Sequence, residues 1–365
     1  NKFNEICKLL NINIKIISGS SKASVKKEIK NDLKDGKIDL LIGTHALIYD
    51  GIQFNNLGLA IIDEQHKFGV AQRSKLWLKN KFPPHVLIMT ATPIPRTLAM
   101  SVYGDLDMSI IDELPPGRKY IETYHQTDRD RLKLIRFIKN QIHKGNQAYI
   151  VYPLIKESEK LDFKDLLDGY ESFSRDFPMP DYHISIVHGK MKNDEKENEM
   201  KRFVENKTQI LVSTTVIEVG VDVPNATVMV IESAERFGLS QLHQLRGRVG
   251  RGIDKSYCFL VTGHKKTKES IMRMKTMVST NDGFVIAEKD LEIRGPGNLM
   301  GKQQSGDIPF KIINLVKDHS LISKVRILVS NILKKDPNLE SNKNSIISKN
   351  LKNIFDKKEI WEYIS

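Results

Sequence analysis

Short apolar runs recur along the chain, separated by longer mixed stretches. They are Ile12–Ile17, Leu40–Gly43, Leu59–Ile62, Val86–Met89, Ala148–Tyr152, Ile184–Val187, Ile210–Ser213, Val228–Ile231 and Cys258–Val261. Many are apolar and β-branched at successive positions rather than alternate ones. That pattern predicts strands covered on both faces, as in a parallel sheet flanked by helices. Between them, Ala23–Asp35, Asp128–Lys144 and Asp194–Glu205 have helical composition. Strands alternating with helices predict βαβ units with right-handed crossovers.

Punctuation divides this pattern. Pro115-Pro116-Gly117, within Asp112–Arg118, cannot continue a helix and reads as a linker. A second α/β unit then runs from about Tyr120 to Gly263. Beyond it the pattern turns helical, interrupted by the glycine-rich stretch Glu292–Gly306. The tail from Lys317 is rich in Lys and Asn and carries an amphipathic portion at Leu321–Leu333. The expected domains are therefore 1–114, 115–265 and a mainly helical region 266–365. No internal repeat stands out.

Length and composition narrow the classes. A chain of 365 residues exceeds one typical core. No apolar run is long enough to cross a bilayer. The start, Asn1-Lys2-Phe3-Asn4-Glu5, has no initiator Met and no signal-peptide pattern, so the chain is expected to begin inside a longer protein. The two cysteines, Cys7 and Cys258, support neither a disulfide framework nor a cysteine zinc site, and they fit a reducing cytoplasm. The net charge of +12 fits a polyanionic partner. Codon bias toward Lys, Asn and Ile would give the same value, so charge alone does not decide between them.

Three segments carry candidate chemistry. Leu59–Ile62 ends in Asp63-Glu64-Gln65-His66, which puts carboxylates at the C-terminal end of a parallel strand, where α/β proteins build their sites. Asp63 suits Mg²⁺ held against phosphates, and Glu64 suits orienting and deprotonating a water. His66 would sense the phosphate. The alternative for an isolated Asp-Glu pair is a solvated loop cap. Val86–Met89 leads into Thr90-Ala91-Thr92-Pro93-Ile94-Pro95, where hydroxyls follow a strand and prolines fix the turn. Gln244-Leu245-Arg246-Gly247-Arg248-Val249-Gly250-Arg251 places three arginines within six residues. A spacing of three is expected to put Arg248 and Arg251 on one helical face, suited to bidentate phosphate contact. The alternative is a basic surface patch. Upstream, Ser213 through Pro224 offers small polar residues for a nucleic-acid backbone, with Asp222 placed to accept from a ribose.

Together these segments resemble the superfamily-2 helicases, and their order along the chain matches. Gly19-Ser20-Ser21 and Gly43-Thr44-His45 are similar to the first domain's DNA-backbone segments. Asp63-Glu64-Gln65-His66 is similar to motif II, and Thr90-Ala91-Thr92 to motif III. Thr214 through Pro224 is similar to motif V, and Gln244 through Arg251 to motif VI. The likeness narrows to the RecG family of branched-DNA helicases through Thr90–Met100, Asp112–Arg118, Val151–Glu159 and Glu232–Gly252. Asn281 through Gly306 resembles the translocation motif that this family shares with the transcription-repair coupling factor. Gln303 stands where the family often has Arg.

The resemblance implies a fold of two RecA-like α/β domains, the first incomplete at its N-terminus, followed by a mainly helical C-terminal region. It implies ATP and Mg²⁺ as cofactors, branched double-stranded DNA as the partner, no membrane attachment, and a cytoplasmic monomer. It assigns hydrolysis to Asp63 (Mg²⁺), Glu64, His66, Arg248 and Arg251, and nucleotide contact to Asp63, Gly220, Asp222 and Gln244. DNA contact or coupling falls to Gly19, Ser20, Thr44, His45, Thr90, Thr92, Thr214, Thr215, Arg294 and Gln304. No Gly-x-x-x-x-Gly-Lys-Ser/Thr phosphate loop occurs in the chain, and the expectation is that it lies upstream. The competing readings are the coupling factor's motor, a non-catalytic nucleic-acid-binding relic, and an RNA-directed helicase.

Overall fold

The apolar runs form parallel strands, each within two residues of its expected bounds. The computed structural model describes residues 2–19, 21–44, 47, 52–64, 84–91, 107–153, 159–214, 223–263, 267–294 and 318–356. The chain divides into two units, residues 1–92 with 297–365, and residues 93–296.

The first unit contains α1 (Lys2–Leu9), β1 (Ile14–Ile17), α2 (Ala23–Lys34), β2 (Leu40–Gly43), β3 (Leu59–Ile62) and β4 (His85–Ile88). β1 pairs with β2, and β3 with β4. Ile17, Ile29, Leu33 and Ile52 form its small core. The expectation of strands covered on both faces does not hold here. Ile16, Ile42, Leu59, Ile61 and Leu87 are exposed. On the β1–β2 pair, α2 buries the stripe Ile29 and Leu33 against Ile17 on one face, and among the described residues no helix packs on β3 and β4. Gly43 closes the second strand where no side chain fits. A Cβ there would lie 2.6 Å from the Ile17 carbonyl oxygen and 2.9 Å from Leu47 Cγ.

The second unit contains β5 (Glu122–Thr127), α3 (Arg131–His143), β6 (Gln147–Tyr152), α4 (Glu159–Asp176), β7 (Ile184–Val187), α5 (Asn193–Val204), β8 (Ile210–Thr214), β9 (Ala226–Ile231), α6 (Leu239–Arg246), β10 (Tyr257–Thr262), α7 (Lys268–Ser279) and α8 (Gly283–Arg294). Its six strands form one parallel sheet in the order β5-β10-β9-β6-β8-β7. Here both faces are covered. Tyr149, Val151, Leu211, Met229 and Ile231 pack against Phe203, Leu242, Met274, Met277 and Ile286. Ala148, Ile150, Val212, Val228 and Val230 pack against Leu134, Ile138, Phe173 and Phe177 on the other face. Each such aliphatic side chain contributes about 2 kcal/mol by leaving water. Met274, Met277 and Ile286 belong to α7 and α8, so these helices are part of the second unit's core. The sequence pattern had grouped them with the C-terminal region.

The edge strand β5 was not evident in the sequence. Glu122-Thr123-Tyr124-His125-Gln126-Thr127 is polar, and it pairs only with β10 among the described strands. An edge strand needs less apolar surface than a central one. In the C-terminal segment, α9 (His319–Lys335) and α10 (Ser345–Asp356) are joined by a turn tied to Asp336. Its carboxylate accepts from Glu340 N at 2.9 Å, Ser341 N at 3.0 Å and Asn344 Nδ2 at 2.7 Å.

A repeat that the sequence does not advertise is present in the backbone. β1, α2 and β2 recur as β7, α5 and β8, each 170 residues later (Ile14 to Ile184, Ala23 to Asn193, Leu40 to Ile210). Both copies are parallel strand–helix–strand units. Both helices are followed by a left-handed residue, Gly36 at φ 70° and Asn206 at φ 56°. The backbone N–H of Asn13 donates to Asp39 Oδ2, as that of His183 donates to Gln209 Oε1.

Candidate functional site

In the first unit the strand register brings two candidate segments side by side. Ile62 pairs with Ile88, and Met89 N donates to the Ile62 carbonyl at 2.8 Å. Asp63-Glu64 and Met89-Thr90 therefore leave adjacent strands at the same end of the sheet. Asp63 and Thr90 are exposed and Glu64 is half-buried. Glu64 has φ 52°, in the left-handed region that a residue with a Cβ enters at a cost of about 1–3 kcal/mol. Its own amide donates to Asp63 Oδ1 at 2.8 Å, which fixes the Asp63 carboxylate against the turn. Gly19 and Thr44 follow β1 and β2 and are exposed. The Gly19 carbonyl accepts from Lys26 Nζ at 2.8 Å.

In the second unit Thr214 ends β8. Its hydroxyl is buried and has no hydrogen-bond partner among the described residues. The repeat adds a residue that motif reading missed. Gly189 is the counterpart of Gly19, and its carbonyl accepts from Lys196 Nζ at 3.1 Å, as Gly19 does from Lys26. The signal that could have found it is the 170-residue offset itself.

The arginine segment departs from expectation. α6 ends at Arg246, with Gly247 as its C-cap, and Gly250 has φ 75°. Arg248 and Arg251 thus lie on a turn beyond the helix and do not share a helical face. A helix cannot pass through Gly250 in the left-handed region. Arg246 is a structural residue, 2% exposed. It donates to the Met277 carbonyl at 2.8 Å, the Thr280 carbonyl at 2.9 Å and Thr123 Oγ1 at 3.3 Å. Its Nη2 lies 3.1 Å from His243 Nδ1. Burial, reinforced by the Arg246 charge, pulls the His243 pKa down to about 4, so the ring is neutral and accepts from the arginine. Gln244 and Arg248 are half-buried and Arg251 is exposed. Arg118, which sequence reading used only as part of the linker, grips this turn. Its Nε donates to the Gly250 carbonyl at 3.0 Å and its Nη2 to the Gly247 carbonyl at 3.3 Å.

Next to the sheet's C-terminal edge, Arg131 pairs with Glu232 and stacks over Phe173 at 4.5 Å. Burial raises the Glu232 carboxyl's pKa, and Arg131 opposes that shift. Ser20, His45, His66, Thr92, Thr215, Gly220, Asp222 and Gln304 lie outside the described residues. Arg294 is the last residue of α8. Among the described residues no group of three or more possible metal ligands occurs, and no helix is long and apolar enough to cross a membrane.

Three family models match the chain. They are a DEAD/DEAH box helicase model over residues 1–101, a helicase conserved C-terminal domain model over 130–252, and a model of domain 3, C-terminal, of the ATP-dependent DNA helicase RecG over 280–365. The ATP-dependent DNA helicase RecG of Synechocystis sp. is 50% identical over 333 residues, covering 91% of this chain and 40% of the relative. That of Aquifex aeolicus is 50% identical over 346 residues, covering 93% and 43%. The chain belongs to the RecG family. A solved structure of RecG bound to a three-way DNA junction superposes with a TM-score of 0.65 at 42% identity, covering 88% of this chain and 41% of that one. The chain thus spans less than half the length of these RecG relatives. Both units match helicase models, and the fold is α/β with a six-stranded parallel sheet.

Proposed function

We propose that this chain supplies motor elements of an ATP-dependent DNA helicase that acts on branched DNA. The observation that carries the reading is the adjacency of Asp63-Glu64 and Met89-Thr90 at neighbouring strand ends, within a chain of the RecG family. Asp63 and Glu64 offer hard oxygen donors of the kind Mg²⁺ takes while keeping several waters. When bound, Mg²⁺ neutralises charge on the β- and γ-phosphates of ATP. Asp63 would hold it, and the hydrogen bond from Glu64 N keeps that carboxylate in place. Glu64 orients and deprotonates the attacking water.

His66, Thr90 and Thr92 relay the nucleotide state. Arg248 and Arg251 place guanidinium charge on the γ-phosphate, and Gln244, Gly220 and Asp222 contact the nucleotide. Gly19, Ser20, Thr44, His45, Thr214 and Thr215 meet the DNA backbone, with the buried Thr214 hydroxyl available for such a contact. Arg294 and Gln304 belong to the translocation element. The division between the two motor domains lies in the linker near 114–115, and the protein works as a cytoplasmic monomer.

The test uses the full-length protein with a labelled three-way DNA junction, ATP and Mg²⁺. Strand separation of the junction that requires hydrolysable ATP is the expected result. Preference for an RNA duplex over the DNA junction would overturn the DNA reading, and separation without ATP would overturn the motor reading.

A further inference from the structure

We propose that Arg118 is a positioning residue for the turn that carries Arg248 and Arg251, an inference that rests on the nucleotide role proposed for those two arginines. Arg118 lies at the end of the linker Asp112–Arg118, yet its guanidinium spans the turn's backbone. Nε takes the Gly250 carbonyl at 3.0 Å and Nη2 takes the Gly247 carbonyl at 3.3 Å. The Gly247 carbonyl immediately precedes Arg248 and the Gly250 carbonyl immediately precedes Arg251. One planar group holding both fixes the turn's span, because the guanidinium donors stand in a rigid fork.

The turn's amides and its carbonyls are held by different groups. α6 stops at Arg246, and beyond it the amides of Gly247, Arg248 and Val249 donate back to the carbonyls of His243, Leu245 and Arg246, while Arg118 takes the carbonyls of Gly247 and Gly250. Gly250 occupies the left-handed region at φ 75°, with Ile121 Cγ1 only 3.1 Å from where a Cβ would stand. Val249 and Gly250 are both buried, which leaves Arg248 and Arg251 on either side of a packed pair. Two glycines in four residues make the backbone permissive. Arg118 therefore adds a side-chain clamp on the carbonyl side of the turn, up to the residue before Arg251. It does so from the segment that leads into β5, 129 and 132 residues away in sequence. A one-ångström drift of a phosphate-contacting arginine is enough to cost a large part of its catalytic effect.

Arg118 differs from a phosphate-binding arginine in what it touches, since its Nε and Nη2 both donate to backbone carbonyls. It acts through Arg248 and Arg251. The experiment compares Arg118→Ala, Arg118→Lys, Arg251→Ala and the Arg118→Ala/Arg251→Ala double variant in the full-length protein. DNA-stimulated ATP turnover, KM for ATP and melting temperature are measured for each. Arg118→Ala is expected to lower kcat about tenfold or more, with KM changed less than about threefold and melting shifted by no more than a few degrees. Arg118→Lys, which can reach one carbonyl at a time, is expected to fall between. The double variant is expected to lose less than the product of the two single losses, because Arg118 acts partly through Arg251 and residues acting as one unit are non-additive.

Unchanged turnover in Arg118→Ala would overturn the proposal. So would multiplicative losses in the double variant, which would make Arg118 an independent contributor. If Arg118→Ala loses its cooperative melting, Arg118→Lys decides: wild-type turnover there overturns the proposal and intermediate turnover supports it. Full turnover in Arg251→Ala and in Arg248→Ala would instead remove the nucleotide role on which the inference rests, whatever Arg118 does.

Discussion

Arg246 donates through Nη1 to the carbonyl of Met277 at 2.8 Å, joining the last residue of α6 to the end of α7. The same guanidinium reaches Thr280 O and Thr123 Oγ1. These bonds are made by a buried charge to groups that have little water to fall back on, so their loss is costly. Arg246→Met is expected to destabilise the second unit by about 3 kcal/mol, from unsatisfied buried carbonyls at 1–3 kcal/mol each offset by the apolar replacement. Urea unfolding monitored on that unit measures it. A loss below about 1 kcal/mol would mean that other donors take over the carbonyls. Arg251→Ala is expected to leave stability within about 1 kcal/mol while abolishing most hydrolysis, since Arg251 is exposed on the turn.

The neighbouring His243 gives this region a pH dependence with a definite sign. Its folded pKa is about 4, held down first by burial and then by Arg246. In the unfolded chain a histidine titrates near 6.5. Between those values the unfolded state binds a proton that the folded state refuses, so stability falls as pH drops from about 6.5 to 4 and levels off below. The full effect is on the order of 3 kcal/mol. Replacing His243 with Asn keeps an acceptor for Arg246 and removes the titration. The acid limb of a stability–pH curve is expected to flatten between pH 6.5 and 4 in that variant. An unchanged limb would assign the acid sensitivity elsewhere.

Legibility in the sequence followed what each feature depends on. The central strands β6, β8 and β9 read directly, because burial on both faces demands unbroken runs such as Tyr149-Ile150-Val151. The strand-end position of Asp63-Glu64 read equally well, since Leu59–Ile62 is apolar and stops at the acids. β5 did not read, because an edge strand tolerates Glu122, His125 and Gln126. The helical face drawn through Arg248 and Arg251 failed because spacing ignores Gly247 and Gly250, which end the helix and turn the chain. Arg118 was invisible as a contact residue because its partners are backbone carbonyls, which carry no sequence identity. The 170-residue repeat was hidden for a similar reason. Its copies share backbone turns and only scattered side chains such as Lys26 and Lys196, while turn positions differ, as Gly36 and Asn206 illustrate.

That repeat makes a paired prediction. Lys26 and Lys196 each reach back seven residues to a turn carbonyl, Gly19 and Gly189. An exposed bond of this kind contributes about 1 kcal/mol, which is roughly a fivefold change in a local opening equilibrium. Lys196→Ala is expected to speed amide hydrogen exchange in residues 188–192 by about that factor without lowering global stability by more than about 1 kcal/mol. Lys26→Ala is expected to do the same for the turn at Gly19. Exchange that stays at the wild-type rate in both would show that these lysines do not restrain their turns.

Glu64 offers a way to separate catalytic duty from structural duty at a single position. Its φ of 52° is unfavourable for any residue with a Cβ and natural for glycine. Glu64→Gly therefore relieves local backbone strain while raising the conformational entropy of the unfolded chain, and the two effects oppose each other. Its stability is expected to stay within about 1 kcal/mol of wild type. Glu64→Gln keeps the shape of the side chain and loses the base. In the full-length protein both variants are expected to bind DNA normally and to lose ATP hydrolysis by roughly 10²–10⁴-fold, the range for removing a general base. Equal losses in the two variants would attribute the effect to the carboxylate. Hydrolysis near the wild-type rate in Glu64→Gln would remove Glu64 from the catalytic role. The strained turn would then serve only to hold Asp63 through the bond from Glu64 N to Asp63 Oδ1.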